Sequence, residues 1–351
     1  MMQYKVAVLG CGGRSAAHLD AYRYALRGRV VAVCDRHPEK VGPVAGKYGV
    51  NAYTDAATML RRERPDLLHI VTAPGDRVGL LTLAQEHGVP ACTVEKPVAT
   101  GVRDWRQLEA LAARATTKFA VCHQFRWHAD VQRLRQALES GRLGRLRMLD
   151  LSAGFNIAGQ GTHILNYGMS MNSDVPVVRV FGAAGGANGL HDAVHPAPDS
   201  TVGHLAFANG VHALWVCGPP ALRCGNPEIA WQHVRIAAYA EHGHVLWEEF
   251  GRWEILGRDG LEHGAFGGMD TWMQNNLRAQ ARFHEAMFTW LEDDRQPAGT
   301  NLRQALHEWK VVLALYASAL WRQPVELAAF DPPDDLLEQL ARALGAPAEA
   351  R

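Results

Sequence analysis

The first third of the chain alternates short apolar runs with longer segments of helical spacing. Tyr4-Lys5-Val6-Ala7-Val8-Leu9, Val30-Val31-Ala32-Val33-Cys34, Leu67-Leu68-His69-Ile70-Val71-Thr72, Ala91-Cys92-Thr93-Val94 and Phe119-Ala120-Val121-Cys122 are too short for helices and apolar at nearly every place. Between them lie helical patterns such as Val78 to His87, ending at Gly88, and Trp105 to Ala115. Runs of that kind predict a parallel sheet covered on both faces. After Gln124 the pattern changes. One more helix is predicted from Asp130 to Glu139, followed by alternating runs at Arg147 to Phe155, Thr201 to Phe207, Val211 to Cys217, Val234 to Tyr239 and Val245 to Glu249. Asn209-Gly210 between two of these runs is a hairpin signal. Met273 to Leu291 and Leu302 to Trp321 read as helices, and Asp331-Pro332-Pro333 closes the ordered body. The expectation is an α/β first domain over 1–123 and an α+β second domain over 124–330 with a large, mostly antiparallel open sheet. The last helices are free to pack back on the first domain, and a short Ala-rich helix or loose tail follows over 331–351.

The first run breaks at once into Gly10-Cys11-Gly12-Gly13-Arg14-Ser15, and a helical pattern follows. A buried strand that ends in closely spaced glycines and enters a helix is how a dinucleotide pyrophosphate is held, so the first domain reads as a Rossmann fold. Gly10 permits the tight turn, Gly12 lets backbone approach the phosphates, and the amides opening the helix face the anion. Ser15 stands where the pattern prefers a third glycine; it is small enough for close packing of helix on strand. Asp35 ends the second run, twenty residues past Ser15, where a carboxylate accepts hydrogen bonds from an adenosine ribose. Its charge repels a ribose phosphate and favours NAD over NADP, although Arg36 beside it softens that preference.

Composition narrows the partners. Lys plus Arg and Asp plus Glu each number 36, so the net charge is zero and neither nucleic acid nor an acidic membrane is indicated. No apolar run is long enough to span a bilayer, and the first run begins too near Met1 for a signal peptide, so a cytoplasmic location is expected. The six cysteines, Cys11, Cys34, Cys92, Cys122, Cys217 and Cys224, are scattered and several fall in predicted strands, which suits reduced core residues. The 17 histidines match no zinc spacing, so no metal is expected. Glu95-Lys96-Pro97 sits at the carboxyl end of a predicted parallel strand, the edge where open α/β sheets bind ligands. Proline turns the chain sharply there. A lysine at that edge can donate to a substrate hydroxyl and help move its proton; read alone, it is equally a solvated strand end.

In their order, Leu9-Gly10-Cys11-Gly12-Gly13-Arg14, Asp35, Glu95-Lys96-Pro97 and Gly161-Thr162-His163-Ile164-Leu165-Asn166 resemble the glucose–fructose oxidoreductase / inositol dehydrogenase (Gfo/Idh/MocA) family. Gln124-Phe125-Arg126-Trp127 before Gly141-Arg142-Leu143-Gly144 resembles that family's crossover into the second domain, and Phe207-Ala208-Asn209-Gly210-Val211 its sheet hairpin. The resemblance implies an NAD(P)-dependent oxidoreductase of sugars, cyclitols or their derivatives, with catalysis in the cleft between two domains. It implies that Lys96 is catalytic and that His163 is its proton-transfer partner. It places Glu95, Lys96, Thr72, Ala73 and Pro74 along the cofactor, and Lys96, Arg126, Trp127, His163 and Asn166 along the substrate. It also implies a homodimer or homotetramer through the second-domain sheet. Two positions depart from the family pattern, which reads His-x-x-Asp with another Asp four residues before the histidine: Asn166 and Gly159 stand there, and both carboxylates are missing. Asparagine can orient a hydroxyl but cannot take its proton. Two rival functions therefore stand beside the dehydrogenase: a hydrolase or lyase that uses NAD transiently, and a non-catalytic NAD-binding regulator.

Overall fold

The computed structural model describes residues 3–226 and 228–345; of the expected tail, residues 346–351 lie outside the described residues. The chain forms two compact units, each discontinuous in sequence. One contains the chain up to Val98 with Arg106–His128 and Met273–Ala305; the other contains Ala99–Trp105, Ala129–Trp272 and the chain from Leu306 on. In chain order the helices are α1 (Ser15–Asp20), α2 (Pro38–Tyr48), α3 (Ala56–Glu63), α4 (Arg77–Glu86), α5 (Val102–Arg114), α6 (Ala129–Glu139), α7 (Thr162–Met171), α8 (Met269–Glu292), α9 (Leu302–Trp321) and α10 (Leu336–Ala343). Helix α10 is the short helix that was one of the two expectations for the segment after Pro333.

The first unit holds six parallel strands, β1 (Tyr4–Leu9), β2 (Gly28–Cys34), β3 (Asn51–Tyr53), β4 (Leu67–Ile70), β5 (Ala91–Val94) and β6 (Lys118–Val121). Their spatial order is β3-β2-β1-β4-β5-β6, all parallel. The order reverses between β1 and β4, and the carboxyl ends on either side of such a reversal form the ligand crevice of this architecture. Strands β4 and β5 are buried at every residue, which explains their unbroken apolar runs. The three-residue β3 was not expected; Asn-Ala-Tyr is too short and too exposed to give a strand pattern. Phe283, Met287 and Phe288 of α8 pack with Val6, Leu67, Ala91 and Ala120 of the sheet. A segment from the far end of the chain thus completes the first core.

The second unit is built on nine strands. These are β7 (Leu146–Ala153), β8 (Val177–Gly185), β9 (Ser200–Phe207), β10 (His212–Cys217), β11 (Val234–Ala240), β12 (Gly243–Glu248), β13 (Arg252–Gly257), β14 (Gly260–Ala265) and the two-residue β15 (Val325–Glu326). They lie in the order β14-β13-β12-β11-β7-β10-β9-β8-β15. All neighbours are antiparallel except β7 and β10. The sheet is mixed and mostly antiparallel, as expected. Leu149 and Leu151 of β7, Ala213 and Trp215 of β10, and Leu205 and Phe207 of β9 point to one buried face. Leu214, His204, Phe181 and Tyr239 stand on the other, exposed face in the same register. The described cysteines form no disulfide, and five of the six are buried. Among the described residues no helix is long and apolar enough to cross a membrane.

Candidate functional site

Strand β1 runs into the glycine turn in the way its sequence dictates. Gly10 adopts φ +103°, a conformation that favours glycine, and a Cβ there would stand 2.5 Å from the Val71 carbonyl oxygen. The turn is closed by Ser15, whose amide and hydroxyl both donate to the Gly12 carbonyl, at 3.0 and 2.6 Å. Ser15 is therefore more than a small residue in place of glycine. Gly12 and Gly13 are exposed, and nothing lies within 4 Å of where their Cβ atoms would stand. The loop presents bare backbone, as a pyrophosphate cradle must.

Asp35, just past β2, completes the cradle's rim. Its Oδ2 accepts from the Cys11 amide at 2.8 Å and its Oδ1 from the His37 amide at 3.0 Å. Burial alone would raise this carboxyl, but the two amides hold it below the ordinary aspartate value, so it is an anion at neutral pH. Each oxygen keeps further acceptor capacity for a ribose diol. A cavity of about 550 Å³ joins these groups, lined by Gly10, Gly12, Asp35, Arg36, Thr72 and Ala73 among others. His37, Lys40, Thr54, Gly75, Asp76 and Leu80 line it as well, and no sequence pattern had singled them out. The bare glycines, the twice-bonded carboxylate and the cavity size all fit an adenine dinucleotide.

Cys11, Gly13, Arg14, Ser15, Pro74, Glu95 and Lys96 are not among that cavity's lining. Arg14 turns inward: its Nε donates to Glu95 Oε1 at 3.0 Å and its Nη2 to Gln280 Oε1 at 3.2 Å. Glu95 Oε1 also accepts from His18 Nε2 at 2.8 Å. Burial alone would raise the Glu95 carboxyl; Arg14 and the His18 bond instead hold it well below the carboxylate range. An ionised Glu95 only accepts, so His18 is the Nε2–H tautomer. Its bare Nδ1 then accepts from Gln280 Nε2 at 3.5 Å, and the same amide donates to His284 Nε2 at 3.0 Å. His284 Nδ1 is buried without a partner. His69 sits between the Tyr22 hydroxyl, at 2.7 Å from Nε2, and Thr93 Oγ1, at 2.6 Å from Nδ1. The rings of His69 and His284 lie 4.2 Å apart. The three histidines come close enough to suggest a metal site. Yet His69 is engaged at both nitrogens, and the lone pairs of His18 Nδ1 and His284 Nε2 point at an amide donor.

These imidazoles are neutral. Burial lowers His18, against the opposing pull of Glu95, and it lowers His69 and His284 well below the ordinary histidine value, where the neighbouring rings add to the effect. In the unfolded chain they titrate near the ordinary value, about 6.5. As pH falls below that value the unfolded chain takes up protons before the folded one, so acid destabilises the fold. The loss is about 1.4 kcal/mol per pH unit for each such histidine until its folded value is reached. Urea unfolding at pH 7 and pH 5 is expected to differ by several kcal/mol, lower in acid; equal midpoints would contradict neutral burial.

Lys96 follows Glu95 directly and is half-buried, and the Lys96–Pro97 peptide is cis. Burial lowers its amine below the ordinary lysine value, Glu95 opposes that, and Arg14 adds to it. Such an amine releases its proton more readily than an exposed lysine. His123 nearby is lowered to about 3 by burial and by Lys96, so it is neutral. Arg126 is buried, and a Cβ on Gly299 would strike its guanidinium at 2.5 Å. The Trp127 ring packs on Phe283 with centroids 5.0 Å apart. Both lie in the first unit.

In the second unit a π-helical turn, Ile157–Gly161, leads straight into α7. Asn156 Oδ1 caps it by accepting from the Gly159 amide at 2.8 Å. Turns of this kind recur at functional sites. His163 stands on the first turn of α7, half-buried, with Nδ1 3.1 Å from the Tyr167 hydroxyl. Asn166 is fully buried and its Nδ2 donates to Glu308 Oε1 of α9 at 2.7 Å. A carboxylate therefore does reach Asn166, from a residue 142 positions away.

Residues 4–123 match a family model described as an oxidoreductase family with an NAD-binding Rossmann fold (Gfo/Idh/MocA). The D-apiose dehydrogenase of Paraburkholderia graminis is 34% identical over 143 residues, 40% of this chain and 38% of that protein. The D-apiose dehydrogenase of Rhizobium rhizogenes is 29% identical over 145 residues, 41% of this chain and 42% of that protein. The chain thus aligns with about two fifths of the length of these relatives. The crystal structure of an oxidoreductase from Agrobacterium radiobacter in complex with NAD+, L-tartaric acid and magnesium superposes with a TM-score of 0.79 at 20% identity. It covers 93% of this chain and 99% of that one, a likeness of fold. With the glycine turn, Asp35 and the strand order as described, the match identifies residues 4–123 as an NAD-binding Rossmann domain of the kind found in the Gfo/Idh/MocA oxidoreductase family.

Proposed function

We propose that the chain is an NAD-dependent dehydrogenase or reductase acting on a secondary alcohol or ketone of a sugar, cyclitol or derivative. The observation that carries this reading is the pairing of a bare glycine cradle and anionic Asp35 with a lowered lysine amine at the carboxyl end of β5 of the same sheet. When bound, the nicotinamide accepts or supplies the hydride. The Gly12 and Gly13 backbone holds the pyrophosphate, and Asp35 accepts from the adenosine ribose. Lys96 takes the hydroxyl proton as the carbon is oxidised, or returns it in the reverse direction. The resemblance gives His163 the part of proton shuttle and Asn166 that of a hydroxyl-orienting group. It likewise supports a homodimer or homotetramer through the exposed face of the second-unit sheet. D-apiose, named in two of the relatives, heads the substrate candidates.

The test is a screen of aldoses, cyclitols and their ketones with NAD and NADH, read by the absorbance of the reduced nicotinamide. Steady turnover on at least one supports the reading; transformation without net change in that absorbance points to transient oxidation instead. Asp35→Ala is expected to weaken NAD about 10- to 100-fold, the worth of a hydrogen bond to a charged group. NADP, which the wild-type carboxylate repels, should weaken far less. Calorimetric titration measures both, and equal losses would remove Asp35 from the ribose site.

A further inference from the structure

Arg14, Glu95, His18 and Gln280 close a ring of hydrogen bonds. Arg14 Nε donates to Glu95 Oε1 at 3.0 Å, His18 Nε2 donates to the same oxygen at 2.8 Å, Gln280 Nε2 donates to His18 Nδ1 at 3.5 Å, and Arg14 Nη2 donates to Gln280 Oε1 at 3.2 Å. Every donor meets an acceptor, and only one tautomer of His18 allows it. The ring joins four separate pieces of the first unit: the glycine turn through Arg14, α1 through His18, the end of β5 through Glu95, and α8 through Gln280. His18, Gln280 and Glu95 are at most 9% exposed. Arg14 is partly exposed, but burying the Glu95 carboxylate together with an imidazole and an amide is costly. A fold that needed only packing there would fill the space with apolar groups.

We propose that Arg14, His18 and Gln280 are positioning residues that fix Glu95 as the permanent counter-charge of the Lys96 amine. The inference rests on Lys96 being the proton-transferring group. Among the groups close enough to act electrostatically on the Lys96 amine, or to feel it, are Glu95, Arg14, Cys122 and His123. Cys122 is a thiol, raised to about 12 by burial, and His123 is neutral, so of these four groups Glu95 and Arg14 are the charged ones. Glu95 favours the charged amine and Arg14 disfavours it. Removing each must therefore move the Lys96 titration in opposite directions, which loss of packing cannot do.

The experiment is an NMR titration of the full chain carrying ¹³C-labelled lysine, with the Lys96 signal assigned by Lys96→Arg. Glu95→Gln is expected to lower the Lys96 midpoint by about one pH unit and Arg14→Met to raise it by a similar amount. Midpoints that stay put, or shift in the same direction, overturn the proposal. If either variant does not fold, the wild-type chain with ¹⁵N-labelled histidine still decides. His18 must appear as the neutral Nε2–H tautomer at pH 7 to pH 8, and the opposite tautomer or a charged ring there overturns the ring. Lys96→Ala, assayed on a substrate from the screen, separates the two levels. An active variant removes the Lys96 assignment, whereas an inactive one with unmoved midpoints removes only the role of the ring.

Discussion

Lys96→Ala is expected to lower kcat by about 10²- to 10⁴-fold while leaving the Kd for NAD within a few-fold of wild type. That range is what a positioned proton donor or acceptor contributes. The amine is suited to the task because burial lowers its proton affinity and the adjacent Glu95 limits the drop. It does not line the cavity that would hold the dinucleotide, which is why cofactor affinity should survive. Steady-state kinetics on a substrate from the screen, paired with calorimetry, give the two numbers. A parallel loss of turnover and affinity would make Lys96 a cofactor ligand. Unchanged turnover would move proton transfer elsewhere, His163 being the next residue to replace.

Gly10→Ala and Gly12→Ala should separate the fold from the cradle. At Gly10 the backbone sits at φ +103°, and the new methyl would press on Val71 O at 2.5 Å and Val71 C at 2.8 Å, backbone atoms of the chain leaving β4. That segment is held by the Val71 amide donating to Leu9 O at 2.7 Å, so it cannot give way cheaply. Adding about 1–2 kcal/mol for the unfavourable φ to about 1–3 kcal/mol for overpacking gives a loss of about 2–5 kcal/mol. At Gly12 nothing lies within 4 Å of the added methyl and no left-handed φ is required. Gly12→Ala should unfold within about 0.5 kcal/mol of wild type yet lose NAD affinity about tenfold or more, because the methyl occupies the surface the phosphates approach. Denaturant midpoints and calorimetry on both variants check this. A Gly12→Ala variant that binds NAD normally would mean that the pyrophosphate lies elsewhere.

Local signals made the first unit legible. Buried parallel strands leave apolar runs, the glycine turn is contiguous, and Asp35 follows at a set distance; the strand order and the cavity agree with all three. The second sheet was legible only in part. Strands β8, β13 and β14 carry glycine or charge at several places, as in Val-Val-Arg-Val-Phe-Gly-Ala-Ala-Gly, which blurs the two-residue period. The parallel pairing of β7 with β10 is a matter of chain path, which no period encodes. The residues around Glu95 were illegible for the same reason. Arg14 read as part of the phosphate turn, and nothing in the sequence announces that it reaches Gln280, 266 residues away. His18 and His284 read as two histidines among 17. The carboxylate missing at Asn166 looked like lost chemistry, yet Glu308 bonds Asn166 from α9. Function at such positions is set by the meeting of distant segments, and a single sequence records only the segments.

Whether the first unit takes up NAD through its glycine turn and Asp35 is best decided by calorimetric titration of the purified full chain with NAD, with Gly12→Ala as the matched control. Saturable one-to-one binding by the wild type, weakened in a control of unchanged stability, is the predicted result. A wild-type chain that takes up neither NAD nor NADH would contradict it.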